Sequence, residues 1–314
     1  MRLLRRNSDY DFELVTFSVD DLTPPYAILS HTWTDGEEVT YDELVAGTAR
    51  NKAGGYAKIR FCGERAAEDG FRYFWVDTCC INKSIRQELD TAINSMFRWY
   101  QRANRCYVYL SDVQIPAEVI DVQSFRITWE DAFRRSRWFT RGWTLQELLA
   151  PSTVEFFSKE GKRLGSKITL EREIHEITKI PVGALRGQKR LFEFSVPERM
   201  SWVKNRKTTF IEDKVYCVLG IFGVFLPLIY GEGEEHAFRR LEKEIQEHFA
   251  REIRREIRRE TYWDWVCCNC MTWPLSMVAC FNCPMCYHSR DECCAVQLQS
   301  IERKPSNKFP APSR

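Results

Sequence analysis

The sequence predicts an α/β protein: a doubly wound parallel sheet with a helical extension and a small Cys-rich C-terminal module. Three observations lead there. Short apolar runs alternate with amphipathic helical patterns through the first half of the 314 residues. The second half keeps the helical period but offers no matching strands. Eight of the thirteen cysteines crowd into residues 261–314.

Residues 26–30 form a short apolar run after Pro24 and Pro25, which suits a buried strand. Residues 54–69 place Ile59, Cys62, Ala66 and Ala67 at helical spacing and stop near Gly70. A second strand is predicted over 71–76, ending at Asp77. Leu89, Ile93, Met96, Phe97 and Tyr100 mark one stripe of a helix over 85–103. Residues 106–110 read as a third strand, 129–149 as mostly helix, and 153–157 as a fourth strand after Pro151. Strands and helices in this order build a parallel sheet covered on both faces. Ligands of such sheets sit beyond the strands' carboxyl ends, here 30–33, 77–82 and 111–112. Downstream, 169–178, 197–204 and 212–220 read as short helices and 234–260 as one long helix of roughly 40 Å. The predicted organisation is therefore a domain over 1–160, a helical extension over 161–233 and a connecting helix over 234–260. A zinc-ribbon-like module follows over 261–296, and a disordered tail over 297–314.

Charge nearly cancels, with 46 Lys+Arg against 44 Asp+Glu for a net charge of +2. A dedicated nucleic-acid binder needs an unbalanced basic face, so nucleic acid is not an expected partner. The long helix carries equal numbers of acidic and basic residues, which reads as a solvated face with i,i+3 pairs. Asp9, Asp11 and Glu13 interrupt any signal-peptide core, and the uncharged stretch 215–230 is too short and too rich in Gly and Pro to span a bilayer. A cytoplasmic protein without a membrane span is expected.

Cys267-x₂-Cys270 and Cys283-x₂-Cys286 lie twelve residues apart. Each pair forms a tight knuckle presenting two thiolates, and four thiolates complete the closed tetrahedron of a structural zinc site. Cys280, His288, Cys293 and Cys294 leave room for an exchanged ligand or a second ion.

At the strand ends, Ser30, His31 and Trp33 stand where a nucleotide's phosphates or ribose can bind, or where Ser30 and Thr32 simply satisfy a tight turn. Asp77 either orients a ligand or caps the turn over 78–83. Arg137 and Arg141 suit either an anion or ordinary salt bridges. Cys79 or Cys80 with His31 and Asp77 would supply a nucleophile, a base and an orienting group if they met. No phosphate-binding Gly-x-x-x-x-Gly-Lys-Ser/Thr loop occurs.

Several motifs together resemble one family. They are Tyr26-Ala-Ile-Leu-Ser-His-Thr-Trp33, Gly55-Tyr-Ala-Lys-Ile59, Trp75-Val-Asp-Thr-Cys-Cys-Ile-Asn-Lys83, the run from Ser136 to Pro151, and Glu198-Arg-Met-Ser-Trp202 downstream. They are similar to the fungal heterokaryon-incompatibility (HET) domain and what commonly follows it. That resemblance implies a fungal innate-immunity protein that recognises non-self and promotes programmed cell death through protein partners and self-association. HET domains in turn resemble Toll/interleukin-receptor (TIR) domains, of flavodoxin-like fold, some of which cleave NAD. A TIR enzyme carries its catalytic Glu four residues after a Trp, and Trp143 and Glu147 have that spacing. The resemblance thus implies Glu147 as catalytic, with NAD as substrate and Trp143 beside it. Cleaving the nicotinamide–ribose bond passes through an oxocarbenium-like state that one carboxylate can stabilise.

Overall fold

The computed structural model describes residues 1–8, 11–18, 23–115, 122–260, 262–266, 275–276 and 295–299. The chain divides into two compact units, Met1–Glu244 and Ile245–Arg314. The first is built on a seven-stranded sheet in the order β2-β1-β4-β3-β5-β6-β7. Its strands are β1 (Arg2–Ser8), β2 (Asp11–Thr16), β3 (Tyr26–His31), β4 (Tyr73–Trp75), β5 (Arg105–Tyr109), β6 (Val154–Phe157) and β7 (Arg163–Ser166).

The four strands read from the apolar runs are the four central ones, and they are parallel. The sheet as a whole is mixed rather than parallel, because both flanks are antiparallel. β1 pairs antiparallel with β2 and β4, and β7 with β6. The sequence pattern does not show these flanking strands. Leu3 and Leu4 are adjacent and both fully buried, so β1 lacks an alternating signature. Its arginines are held tertiarily: Arg2 pairs with Glu88 and donates to Cys80 O at 3.1 Å, and Arg5 pairs with Glu13 across the hairpin.

The helices of this unit begin with α1 (Tyr41–Val45), α2 (Ala53–Glu68), α3 (Asp77–Cys80), α4 (Arg86–Arg102), α5 (Val122–Arg135) and α6 (Thr144–Leu149). The α2 helix covers one face. Phe61 packs at an angle against Tyr109 and edge-on against Phe157 with centroids 5.0 and 5.2 Å away, and Tyr107 donates its hydroxyl to Asp69 at 2.6 Å. Gly63 sits so close to the sheet that a Cβ there would lie 2.6 Å from the Phe12 ring. Across the sheet, Phe133 and Trp138 pack edge-on against Phe156, and Trp99 and Tyr100 against Trp75. Each such buried aromatic contributes about 1.5–3 kcal/mol through the area it removes from water. The helix expected over 129–149 is in fact two. Ser136 ends α5, its Oγ accepting from Trp138 N at 3.3 Å and donating to Asp112 Oδ1 at 2.8 Å. A short 3₁₀ turn, Arg137–Thr140, then leads to α6.

The helical extension comprises α7 (Glu171–Thr178), α8 (Val182–Leu185), α9 (Val196–Lys204), α10 (Asp213–Tyr216) and α11 (Leu219–Phe222). Gly223, at φ 70°, closes α11 in the left-handed conformation that glycine adopts without strain. α12 (Glu234–Glu260) is continuous over 27 residues. Among the described residues no helix is long and apolar enough to cross a membrane. In the second unit β8 (Tyr262–Val266), β9 (Leu275–Ser276) and β10 (Ala295–Gln299) form an antiparallel sheet in the order β10-β8-β9. Cys267, Cys270, Cys283 and Cys286, the predicted zinc ligands, lie outside the described residues, as does the end of the tail.

Candidate functional site

Strand alternation divides the residues at the carboxyl end of β3. Successive side chains point to opposite faces, so Ser30 faces α6 while His31 faces the α2 side. The motif that placed them together in sequence therefore serves two different environments.

On the first face, Trp138 Nε1 donates to Ser30 Oγ at 2.8 Å, and Ser30 Oγ in turn donates to Glu147 Oε2. Every residue of α6 is buried, and Glu147 is only 6% exposed. Burial pushes its carboxyl up to about 8. The bond from Ser30 opposes that, Asp77's charge adds to it, and Tyr100 and Arg206 oppose it again. At neutral pH the group is thus mostly protonated. Trp143 does not join this pair, since its indole N–H donates to Asp213 Oδ2 at 3.2 Å. Asp213 also accepts from Tyr230 at 2.9 Å, which ties Trp143 to the extension.

The extension holds α6 in place at both ends. Lys207 O accepts from Gly142 N at 2.9 Å, and Lys207 N donates to Thr140 O at 2.6 Å. A Cβ on Gly142 would lie 2.5 Å from Thr208 Cγ2, so only glycine permits this approach. Arg206, fully buried, donates to Arg141 O at 2.9 Å and Thr144 Oγ1 at 3.0 Å, and burial lowers it to about 10. At the other end Lys167 Nζ caps the helix by donating to Leu148 O at 3.2 Å and Pro151 O at 2.7 Å. Burial brings Lys167 down to about 8.

On the second face His31 Nε2 lies 3.3 Å from Glu38 Oε2, and His31 Nδ1 lies 3.9 Å from Asp77 Oδ1. Lys58 pairs with Glu38 and donates to Thr32 O at 3.1 Å. Burial would raise the Glu38 carboxyl, but bonds and charge from His31 and Lys58 outweigh it and pull it down to about 2. Asp77 does not cap α3. Its Oδ2 accepts from Trp33 Nε1 at 2.9 Å instead. Lys83 Nζ sits 3.6 Å from the Trp33 ring centroid. Beside these residues opens a cleft of about 300 Å³ lined by Trp33, Glu38, Tyr41, Thr78, Asn82 and Lys83 among others.

The remaining candidates are accounted for by local bonds. Cys79 and Cys80 are buried, with Cys80 Sγ accepting from Val76 N at 3.4 Å, and burial pushes the Cys79 thiol far up. Neither is poised as a nucleophile. Arg137 donates to Thr32 Oγ1 at 3.3 Å and Arg141 to Thr209 Oγ1 at 3.1 Å, and neither makes an ion pair among the described residues. Glu38, Lys58, Lys83, Trp138, Lys167 and Arg206 all escape a reading of the sequence. Five of these are charged, and charge in a helical or loop pattern signals solvent rather than burial. Lys58, Lys83 and Trp138 had a marker, their places inside the 55–59, 75–83 and 136–151 motifs.

The family described as Heterokaryon incompatibility protein (HET) matches residues 26–126. The chain is 53% identical over 246 residues, 78% of its length, to "Vegetative incompatibility protein HET-E-1" of Podospora anserina, and that alignment covers 18% of the relative. The chain thus spans under a fifth of that protein. No solved structure matches. The matched stretch contains β3, β4, β5 and the Ser30–His31 junction, so residues 26–126 of this chain are similar to the heterokaryon-incompatibility family.

Proposed function

We propose that this chain acts in vegetative incompatibility, promoting cell death when non-self is recognised. The observation that carries this reading is the 53% identity over 246 residues to a vegetative incompatibility protein. Its chemical step, on this proposal, is NAD cleavage in a TIR-like domain with Glu147 as the acting carboxylate. The bond between nicotinamide and ribose breaks, nicotinamide leaves with the electron pair, and water adds to the ribose carbon and releases a proton. Glu147 supports this by its place, bonded to Ser30 at the carboxyl end of a central parallel strand, where sheets of this kind receive ligands. Since the ionised form is the one that stabilises an oxocarbenium-like state, activity rises with pH towards about 8.

A second reading is a non-catalytic module that acts by assembly with itself and other proteins. The 6% exposure of Glu147 favours it, because a nearly buried carboxylate offers a substrate little surface. Incubating the concentrated full chain with NAD and following nicotinamide release separates the two. The enzyme predicts release that falls about 100-fold or more in Glu147→Gln. Undiminished release in that variant removes Glu147 from the chemistry, and no release from the wild type leaves assembly alone.

The C-terminal stretch extends the proposal. Four thiolates, from Cys267, Cys270, Cys283 and Cys286, hold one structural zinc ion. Elemental analysis is expected to find about one zinc per chain, lost in Cys267→Ser/Cys270→Ser. Zinc-free protein as purified from zinc-replete cells would remove the assignment. The five cysteines of the first unit are free thiols, which supports action in a reducing compartment such as the cytoplasm.

A further inference from the structure

The cleft at the carboxyl ends of β3 and β4 contains groups that the fold holds in place but does not use. Lys83 is the clearest. Its neighbours Asp77, Cys79 and Glu38 act on it only through charge, and burial against them lowers its ammonium below the ordinary lysine range. It makes no ion pair and no hydrogen bond among the described residues, and its Nζ lies 3.6 Å from the centroid of the Trp33 ring. Lys83 is partly buried, and a partly buried lysine gains from an acid partner. Neither nearby acid bonds to it. Glu38 is paired with Lys58 and His31, and Asp77 Oδ2 accepts from Trp33 while its Oδ1, 3.9 Å from His31 Nδ1, makes no hydrogen bond among the described residues. Asp42 stands exposed on the rim.

Two neutral donors border the same space. Asn82 turns its side-chain oxygen to Ser84, accepting from N at 3.1 Å and Oγ at 2.6 Å, and its NH₂ has no partner among the described residues. Thr78 lines the cleft, and its hydroxyl makes no hydrogen bond among the described residues. Trp33, Tyr41 and Ile81 supply apolar wall for the body of a ligand.

We propose that this cleft binds the oxyanion group, a phosphate or a carboxylate, of a small ligand with an apolar or aromatic body. Lys83 provides the charged contact, and Thr78 and Asn82 donate beside it. An oxyanion there gives the ammonium the partner it lacks, in a cleft where water screens the attraction poorly. This site lies on the α2 side of the strand end and does not depend on Glu147 or on NAD cleavage.

Titration calorimetry with the full chain tests it, using inorganic phosphate, phenyl phosphate and benzoate as probes. Phenyl phosphate or benzoate is expected to bind more tightly than inorganic phosphate, and Lys83→Met to weaken that binding about tenfold or more. The stronger of the two aromatic probes tells phosphate from carboxylate. Amine acetylation of the wild type, read by mass spectrometry, needs no variant: the bound probe is expected to protect Lys83 several-fold. Absence of binding by all three probes at millimolar concentration overturns the proposal. So does binding that leaves Lys83 unprotected.

Discussion

Glu147→Gln is expected to raise stability above pH 8 by roughly 4 kcal/mol while changing it little below pH 4.5. The sign follows from the proton. The folded state holds Glu147 protonated up to about 8, whereas the unfolded chain releases that proton near 4.5. Between those values the folded state binds more protons than the unfolded one. Wild-type stability therefore falls as pH rises through this window, and then levels off. Glutamine keeps the shape and an acceptor for Ser30 but cannot ionise. Other shifted groups do not confuse the comparison, because both proteins share them. Glu38, at about 2, contributes stability that is lost as pH falls below 4.5, and Lys167, at about 8, disfavours the fold as pH falls from 10.5 towards 8. Urea unfolding of both proteins from pH 4 to 9 checks the result. A stability difference that stays constant across that range would show that Glu147 is not held neutral by the fold.

The second large effect is at Ser30. Its hydroxyl is the middle of a chain in which Trp138 N–H donates to it and it donates to Glu147. Ser30→Ala removes one oxygen but leaves two buried groups without a partner, a donor and a carboxyl. Each orphaned group costs about 1–3 kcal/mol, so the loss is expected to be roughly 2–6 kcal/mol. Truncating an exposed serine would cost a few tenths at most. The same change removes the bond that holds the Glu147 carboxyl down, so its proton affinity is expected to rise further. Denaturant unfolding measures the loss. A double-mutant cycle with Glu147→Gln measures the coupling, expected at about 1–3 kcal/mol. Additive effects would mean that the two side chains act independently.

The central strands were legible in the sequence because they are buried on both faces. Residues 26–31 are all buried, and β5 is buried from Cys106 onwards, so an unbroken apolar run marks each of them. The helices over 53–68 and 86–102 announced themselves by period, as did the 27-residue α12. The flanking strands did not, because β1 owes its pairing to β2, β4 and the arginine contacts it makes across the fold. Within the site, the resemblance pointed to Glu147 by its spacing from Trp143, yet the two side chains turn to different partners. Helix spacing states which residues share a face but not what stands opposite that face.

The sequence by itself determined the strand–helix order, the family resemblance and the residue types gathered at the carboxyl ends of β3 and β4. The tertiary structure alone decided which of those residues meet. It put Ser30 with Glu147 and Trp138, and His31 with Glu38 and Asp77, on opposite sides of one strand. It alone buried Glu147, Lys167 and Arg206 and supplied the carbonyls and hydroxyls they bond to. The physical reason is that a side chain's preference for helix or strand is written in its near neighbours along the chain. Its ionisation is set instead by dipoles, charges and exclusion of water brought together from distant segments, and no local pattern records those.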